Sequence, residues 1–305
     1  MKKKINEHVL ALSGGVGGSK LAFGLSKLLS PDQLTIVANT GDDFEHLGFT
    51  VCPDIDSLLY SLSEINNSEL GWGQKGETWN FLSALERLGG ETWFKLGDRD
   101  LATHIFRAEK LKKGFSLTEV TKLLSNGMGS RHQILPMTDL PVRTTIHCEL
   151  GSLSFQNYFV KQRCEPKVNK ITFEGIELAS LNPSALNVIE QGLKAVIICP
   201  SNPFLSIDPI LSLSGVVEAI KKQGCPVIAV SNIIDGAATK GPAAKLMGEL
   251  DIPSSALGVA SYYQARYPGL LTHFVLDEKD KHMEEDGTNQ NVKPRIGPKY
   301  QVNLY

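Results

Sequence analysis

The sequence predicts an α/β fold of the Rossmann-like kind: a mostly parallel sheet with a smaller β-rich insertion. Three observations carry that prediction. Short, largely apolar runs such as Val9–Leu12 and Leu34–Ala38 are followed by loops and then by apolar residues at helical spacing. The first run opens directly into a glycine-rich turn, Gly14–Lys20, which a strand-to-helix junction needs where backbone packs closely. Between residues 134 and 178 the helical rhythm gives way to short β-rich runs, and strand–helix alternation then returns.

The bulk properties narrow the possibilities. The chain has 305 residues, 42% of them hydrophobic and 21% charged, with a formal net charge of −2. That length supports one large core, and that charge balance advertises neither nucleic acid nor an anionic membrane as partner. No run approaches the ~20 apolar residues of a membrane span. Met1-Lys2-Lys3-Lys4 resembles a signal-peptide start, but the apolar run behind it is too short for one. Five well-separated cysteines without any C-x-x-C argue against a disulfide framework and a zinc site, and for free thiols in a reducing cytoplasm.

In chain order, Val9–Leu12 reads as a buried strand and Leu21, Leu25, Leu28 and Leu29 as one face of a helix. Gly14, Gly15, Gly17 and Lys20 sit where α/β proteins set backbone N–H groups against phosphate. The match to a Walker A loop is imperfect, because Ser19 separates Gly18 from Lys20, and a tight turn alone also explains the glycines. After the second strand, Asn39–Asp56 packs Asp42, Asp43, Glu45, Asp54 and Asp56 into 15 residues. Strand ends of an open sheet are where ligands bind. At least two of Asp42, Asp43, Asp54 and Asp56 are therefore expected to serve magnesium or a hydroxyl, with Asp54 alternatively an N-cap for the helix after Pro53.

Gly71–Asn80 holds Trp72 and Trp79 in a glycine-rich loop, either satellite packing or a face for a flat aromatic ligand. Gly97-Asp98-Arg99-Asp100 precedes a helix; Arg99 is a local ion pair or a phosphate or hydroxyl clamp, and Asp100 can cap. His104, a lone histidine near that helix start, reads as structural. Ser116–Glu119 is a capping box. Residues 134–178 form the expected insertion or dimer-facing subdomain within a single domain spanning 1–280. Ala195–Cys199, Val227–Val230 and Leu271–Leu276 are further strands, the last of them final, and 281–305 a loose charged tail.

Laid out this way, the chain resembles the 2-phospho-L-lactate transferase (CofD-like) family of coenzyme F-420 biosynthesis. The resemblance rests on S-G-G-V-G-G-S-K at Ser13–Lys20, N-T-G-D-D at Asn39–Asp43 and C-P-D-I-D at Cys52–Asp56. It continues through Gly71–Gly73, Glu77–Trp79, Lys95–His104, Leu135–Asp139, Pro200–Pro203 and Lys240–Met247. It implies a magnesium-dependent, cytoplasmic homodimer. The enzyme would transfer a substituted phosphate group, the phospho-acid unit of a GDP-activated three-carbon acid, to the ribityl hydroxyl of the deazaflavin Fo, releasing GMP. The acid would be of the phospholactate, phosphoenolpyruvate or phosphoglycerate type. On that resemblance Asp43 and Asp56, with Asp42 or Asp54, hold the metal or orient the hydroxyl, and Arg99 clamps a substrate. Gly14, Gly15, Gly17, Lys20, Asn39, Ser201, Asn202 and Pro203 border the guanosine diphosphate, and Trp72 lies against the deazaflavin. The rival readings are a sugar-nucleotide-binding regulator of the gluconeogenesis-factor type, set apart by the Gly97–Asp100 block, and another nucleotide-dependent transferase or kinase.

Overall fold

The computed structural model describes residues 7–283 and, for backbone, 293–296. The first half runs β1 (Val9–Ser13), α1 (Gly15–Leu28), β2 (Leu34–Ala38), a small hairpin of β3 (Phe44–His46) and β4 (Phe49–Val51), and α2 (Pro53–Leu62). Then come α3 (Asn80–Arg87), α4 (Asp98–Lys112), α5 (Leu117–Gly127) and β5 (Gln133–Pro136). The insertion supplies β6 (Arg143–Cys148), β7 (Gly151–Ser154) and β8 (Val168–Glu174). The second half continues with α6 (Pro183–Glu190), β9 (Ala195–Ile198), α7 (Asp208–Leu211), α8 (Val216–Lys222) and β10 (Val227–Val230). A two-residue pair, β11 (Ile233–Ile234) with β12 (Ala237–Ala238), precedes α9 (Ala243–Glu249), α10 (Ala256–Arg266), β13 (His273–Leu276) and β14 (Lys293–Ile296).

Seven strands form one sheet in the order β14-β13-β10-β9-β1-β2-β5, and every neighbouring pair is parallel. The chain builds outward from β1 through β2 to β5, then returns to the other side of β1 with β9 and continues outward. The order therefore reverses between β1 and β9, and the crevice beyond the carboxyl ends of those two strands is the expected ligand position.

Helices cover both faces, as an all-parallel sheet requires. Leu10 and Leu12 of β1 face one core with α6, α8, α9 and α10, whereas Val9 and Ala11 face a second core with α1, α2 and α5. β1 and β2 are buried throughout, which is why they read as continuous apolar runs and not as alternation. The capping box of α5 forms as expected, and Asp139 adds to it by accepting from the Thr118 backbone N–H at 2.7 Å and its hydroxyl at 2.8 Å.

Two boundaries differ from the sequence reading. Residues 133–136 belong to the main sheet, and the insertion proper is the antiparallel sheet β7-β6-β8. It is not peripheral: the Thr144 backbone N–H donates to the Gly41 carbonyl at 2.7 Å, docking β6 on the loop after β2. The segment 281–305, expected as a loose tail, contains β14, so Leu271–Leu276 does not hold the last strand. Backbone pairing along the free edge of β13 needs no apolar side chains, and a charged composition conceals it. The rest of that segment lies outside the described residues. Among the described residues no single helix is long and apolar enough to cross a membrane; one pair, Pro203–Leu211 with Val216–Lys222, qualifies only jointly and is bent by 75°.

Candidate functional site

The carboxyl ends of β1, β2 and β9 are joined by short polar contacts. Gly14 precedes α1 with extended backbone and no side-chain cap, and its N–H donates to Ser201 Oγ at 3.0 Å. Gly15, at φ 63°, donates its N–H to Asp54 Oδ1 at 2.6 Å. A β-carbon at Gly14 would stand 2.3 Å from Asp54 Oδ2, and one at Gly17 would stand 2.5 Å from the Pro200 carbonyl oxygen. Close packing at the switch point, and not only turn geometry, therefore demands these glycines. Asp54 does not cap its own helix; it caps α1 from the first turn of α2, a carboxylate placed where a helix N-terminus favours negative charge.

Asn39 is the hub. Its Nδ2 donates to Asp54 Oδ2 at 2.9 Å and to the Leu205 carbonyl at 3.1 Å, and its Oδ1 accepts from the Gly41 N–H at 2.8 Å. Asn202 accepts from the N–H groups of Phe204 and Leu205 with Oδ1, which fixes the turn at the buried Pro203. Lys20 is exposed and makes no hydrogen bond to this cluster among the described residues; it lines the neighbouring cleft.

Asp42 and Asp43 are buried in the loop between β2 and β3. Burial raises both carboxyls: Asp42 well above the ordinary range, helped by repulsion from Asp54 and Asp43, and Asp43 to about 8 despite the nearby Arg143 and Arg107 charges. Each keeps one oxygen, Oδ1, without a protein partner among the described residues. The same holds for Thr40 Oγ1 and Asn202 Nδ2 at these strand ends. Buried polar groups are nearly always paired, so these unpartnered atoms make the strand ends the candidate site.

Asp56 is different. Arg107 of α4, wholly buried, binds both its oxygens, with Nη1 at 3.2 Å from Oδ2 and Nη2 on Oδ1. Burial opposes the Arg107 charge, but Asp56 outweighs it and the guanidinium stays firmly protonated. Asp54 and Asp56 thus have protein partners, and the four aspartates do not form one metal cage. Among the described residues no three His, Cys, Asp or Glu side chains stand close enough to hold a metal by themselves. Asp42 and Asp43, with unpartnered oxygens, are the pair that fits magnesium, an ion that takes one or two carboxylates and completes its shell with water and substrate phosphates.

Alongside lies a cleft of about 410 Å³ between α1, α2 and the loop 66–73, lined by Lys20, Tyr60, Ser61, Trp72 and Lys240 among others. Trp72 is 40% exposed and meets Trp79 edge to face. Arg99 does not line this cleft. Its side chain is exposed, donates to the Lys75 carbonyl at 2.9 Å, and makes no ion pair with either neighbouring aspartate within 4.0 Å. Asp98 instead caps α3, accepting from the N–H groups of Asn80 and Phe81, while Asp100 faces inward to Tyr60 and His104. Asp100 is not the N-cap of α4; that position is Gly97.

Arg107, Tyr60, Arg143 and Thr144 were not singled out from sequence. Helical spacing held a signal for some of them: Asp56 with Tyr60, and Asp100 with His104 and Arg107, recur on one face of their helices at steps of three and four. The insertion's contribution had none.

The sequence matches the family described as "2-phospho-L-lactate transferase CofD" over residues 9–297. The chain belongs to the CofD family. The 2-phospho-L-lactate transferase of Methanosarcina mazei is 41% identical over 273 residues, covering 90% of this chain and 88% of the relative. The phosphoenolpyruvate transferase of Streptomyces coelicolor is 36% identical over 278 residues, covering 90% and 86%. A crystal structure of a UPF0052-family protein from Bacillus halodurans superposes with a TM-score of 0.64 at 16% identity, covering 98% of this CofD-family chain and 88% of its own, and shows the fold alone.

Proposed function

We propose that this protein transfers a phospho-carboxylic acid from a GDP-activated three-carbon donor to the terminal ribityl hydroxyl of the deazaflavin Fo, releasing GMP. Membership of a family whose relatives are named for phospholactate and phosphoenolpyruvate transfer supports the class. The observation that carries the site is the set of unpartnered buried polar atoms at the ends of β2 and β9, centred on Asp42 and Asp43. In this reading the acceptor oxygen forms a bond to the phosphorus bearing the acid, the bridging P–O bond breaks, GMP leaves with the bridging oxygen, and the hydroxyl proton is lost.

Such transfers ask the protein chiefly for positioning and for cancelling phosphate charge. Asp42 and Asp43 would hold magnesium, which when bound neutralises the diphosphate. Asp43 also orients the hydroxyl. Asn39, Gly14, Gly15, Gly17, Lys20, Ser201, Asn202 and Pro203 border the donor, Trp72 offers its exposed face to the deazaflavin, and the exposed Arg99 fork contacts a substrate phosphate or carboxylate. The same reading makes the enzyme a cytoplasmic homodimer, a state that light scattering of the purified protein measures.

The deciding experiment incubates the protein with Fo, magnesium and each GDP-linked acid in turn, following GMP release and product mass. Turnover with one donor names it. Nucleotide binding without turnover on any donor would return the protein to the regulatory class.

A further inference from the structure

One buried chain of polar contacts ties α2 to α4 and ends at the cleft. It starts at Asp56 and passes through the Arg107 guanidinium, whose Nη1 also reaches the Thr50 carbonyl at 3.3 Å and His104 Nδ1 at 3.1 Å. The other ring nitrogen of His104 stands 3.3 Å from Asp100 Oδ1, within ion-pair distance but without hydrogen-bond geometry. That same carboxylate oxygen accepts from the Tyr60 hydroxyl, and the Asp100 backbone N–H donates to Glu77 Oε1 at 2.9 Å. Tyr60 forms a wall of the cleft beside Ser61, whose hydroxyl is 3.1 Å from Ser19 Oγ of α1. Burial alone would raise the Asp100 carboxyl, and the close approach and charge of His104, with Tyr60, more than reverse it.

We propose that Arg107 is a positioning residue of the transfer reaction. From α4 it sets the Asp56 carboxylate and, through His104 and Asp100, the Tyr60 hydroxyl on the wall of the cleft, so that these two side chains of α2 hold one mutual geometry. The inference rests on the transferase reading of the site. Three features favour it over a plain strut between α2 and α4. A buried ion pair is a poor strut, since apolar residues of similar volume serve as well or better. The guanidinium leaves its Nε without a protein partner among the described residues, so the group is not arranged for maximal satisfaction. A strut also needs no end at a cleft, whereas this network finishes at Tyr60, a residue that lines the cleft.

The test uses the full chain in the GMP-release assay and reads kcat, both KM values and Tm. Arg107→Met alone strands a buried carboxylate and is expected to fold poorly, so the informative variant is Asp56→Asn/Arg107→Met, which removes both charges together. It should hold Tm within a few degrees of wild type yet lose kcat by about a hundredfold, with donor KM changed less than about threefold. Tyr60→Phe should lower kcat by roughly tenfold, and most of that loss should disappear in an Arg107→Lys background, because residues acting as one network are not additive. Wild-type turnover in the double variant, or fully additive losses for Tyr60 and Arg107, would overturn the proposal. If wild-type protein releases no GMP from any donor, the transferase reading fails by itself. Calorimetric binding of Fo then reads the network: Tyr60→Phe and Arg107→Lys should weaken it equally, and unchanged binding in both would refute it.

Discussion

Two groups of buried aspartates in this fold have opposite surroundings. Asp208, at the start of α7, accepts from the Tyr267 hydroxyl at 2.9 Å on one oxygen and from the Tyr262 hydroxyl and Arg266 Nε on the other. Burial still pushes its carboxyl up to about 6, but the tyrosines and Arg266 pull it back, and both oxygens are engaged. Asp42 and Asp43 are equally buried, yet each has an oxygen without a hydrogen-bond partner among the described residues, and repulsion among carboxylates adds to burial at Asp42. Identical chemistry and similar burial thus serve different ends. The first site ties α10 to the start of α7; the second holds carboxyl oxygens without hydrogen-bond partners at the crevice. Satisfaction of the carboxylate separates a structural acid from a candidate ligand-binding one better than burial does.

The sharpest way to break that contrast is Asp43→Asn. It should cut turnover by at least about a hundredfold, while raising Tm of the metal-free protein because a desolvated carboxyl is replaced by a neutral amide. Near-normal turnover would place Asp43 with Asp208 among the structural acids. Asp208→Asn should do the reverse, costing about 1–3 kcal/mol in denaturant unfolding, since an amide N–H₂ then faces tyrosine and arginine donors. Turnover per folded molecule should change little. Gly17→Ala probes the packing between the regions: its methyl would meet the Pro200 carbonyl oxygen at 2.5 Å, backbone that cannot rotate away, and about 1–3 kcal/mol of stability should be lost.

A pH titration sharpens the comparison further. Asp43 rises from an ordinary 3.8 to about 8 by burial, so between those values the folded chain holds a proton that the unfolded chain has released. Its contribution is intact below the lower value and is lost as pH climbs through the upper one. Metal-free protein should therefore lose Tm between about pH 4 and pH 8, and Asp43→Asn should flatten that slope. Magnesium should flatten it too if the two aspartates bind it; a slope indifferent to both changes would remove the pair from metal binding. The smallest effect is expected at Arg99, whose fork is exposed and already bonded to Lys75: Arg99→Lys should slow turnover by about tenfold, and a silent variant would make it a loop support.

Much of this arrangement could be read before any coordinates. Continuous apolar runs mark strands buried on both faces, because only those exclude polar residues from both sides of the pleat. The Gly14–Gly18 cluster and the acids of Asn39–Asp56 announced themselves by composition, since close backbone approach and concentrated charge each restrict residue choice locally. What residues touch across the fold was not legible. Asp54 looks like the cap of its own helix and caps another; Asp56 looks like a free acid and is held by Arg107, 51 positions away in the chain. Thr144 reaches the acid loop only because β6 docks on Gly41, and β14 is a strand only because β13 presents an open edge. The sequence by itself determined the layers, the direction of the sheet and which loops carry the charge, because periodicity and backbone sterics act within a few residues. Only the tertiary structure decided which of those charges are paired and which are left for a ligand, because that depends on partners brought together from distant parts of the chain.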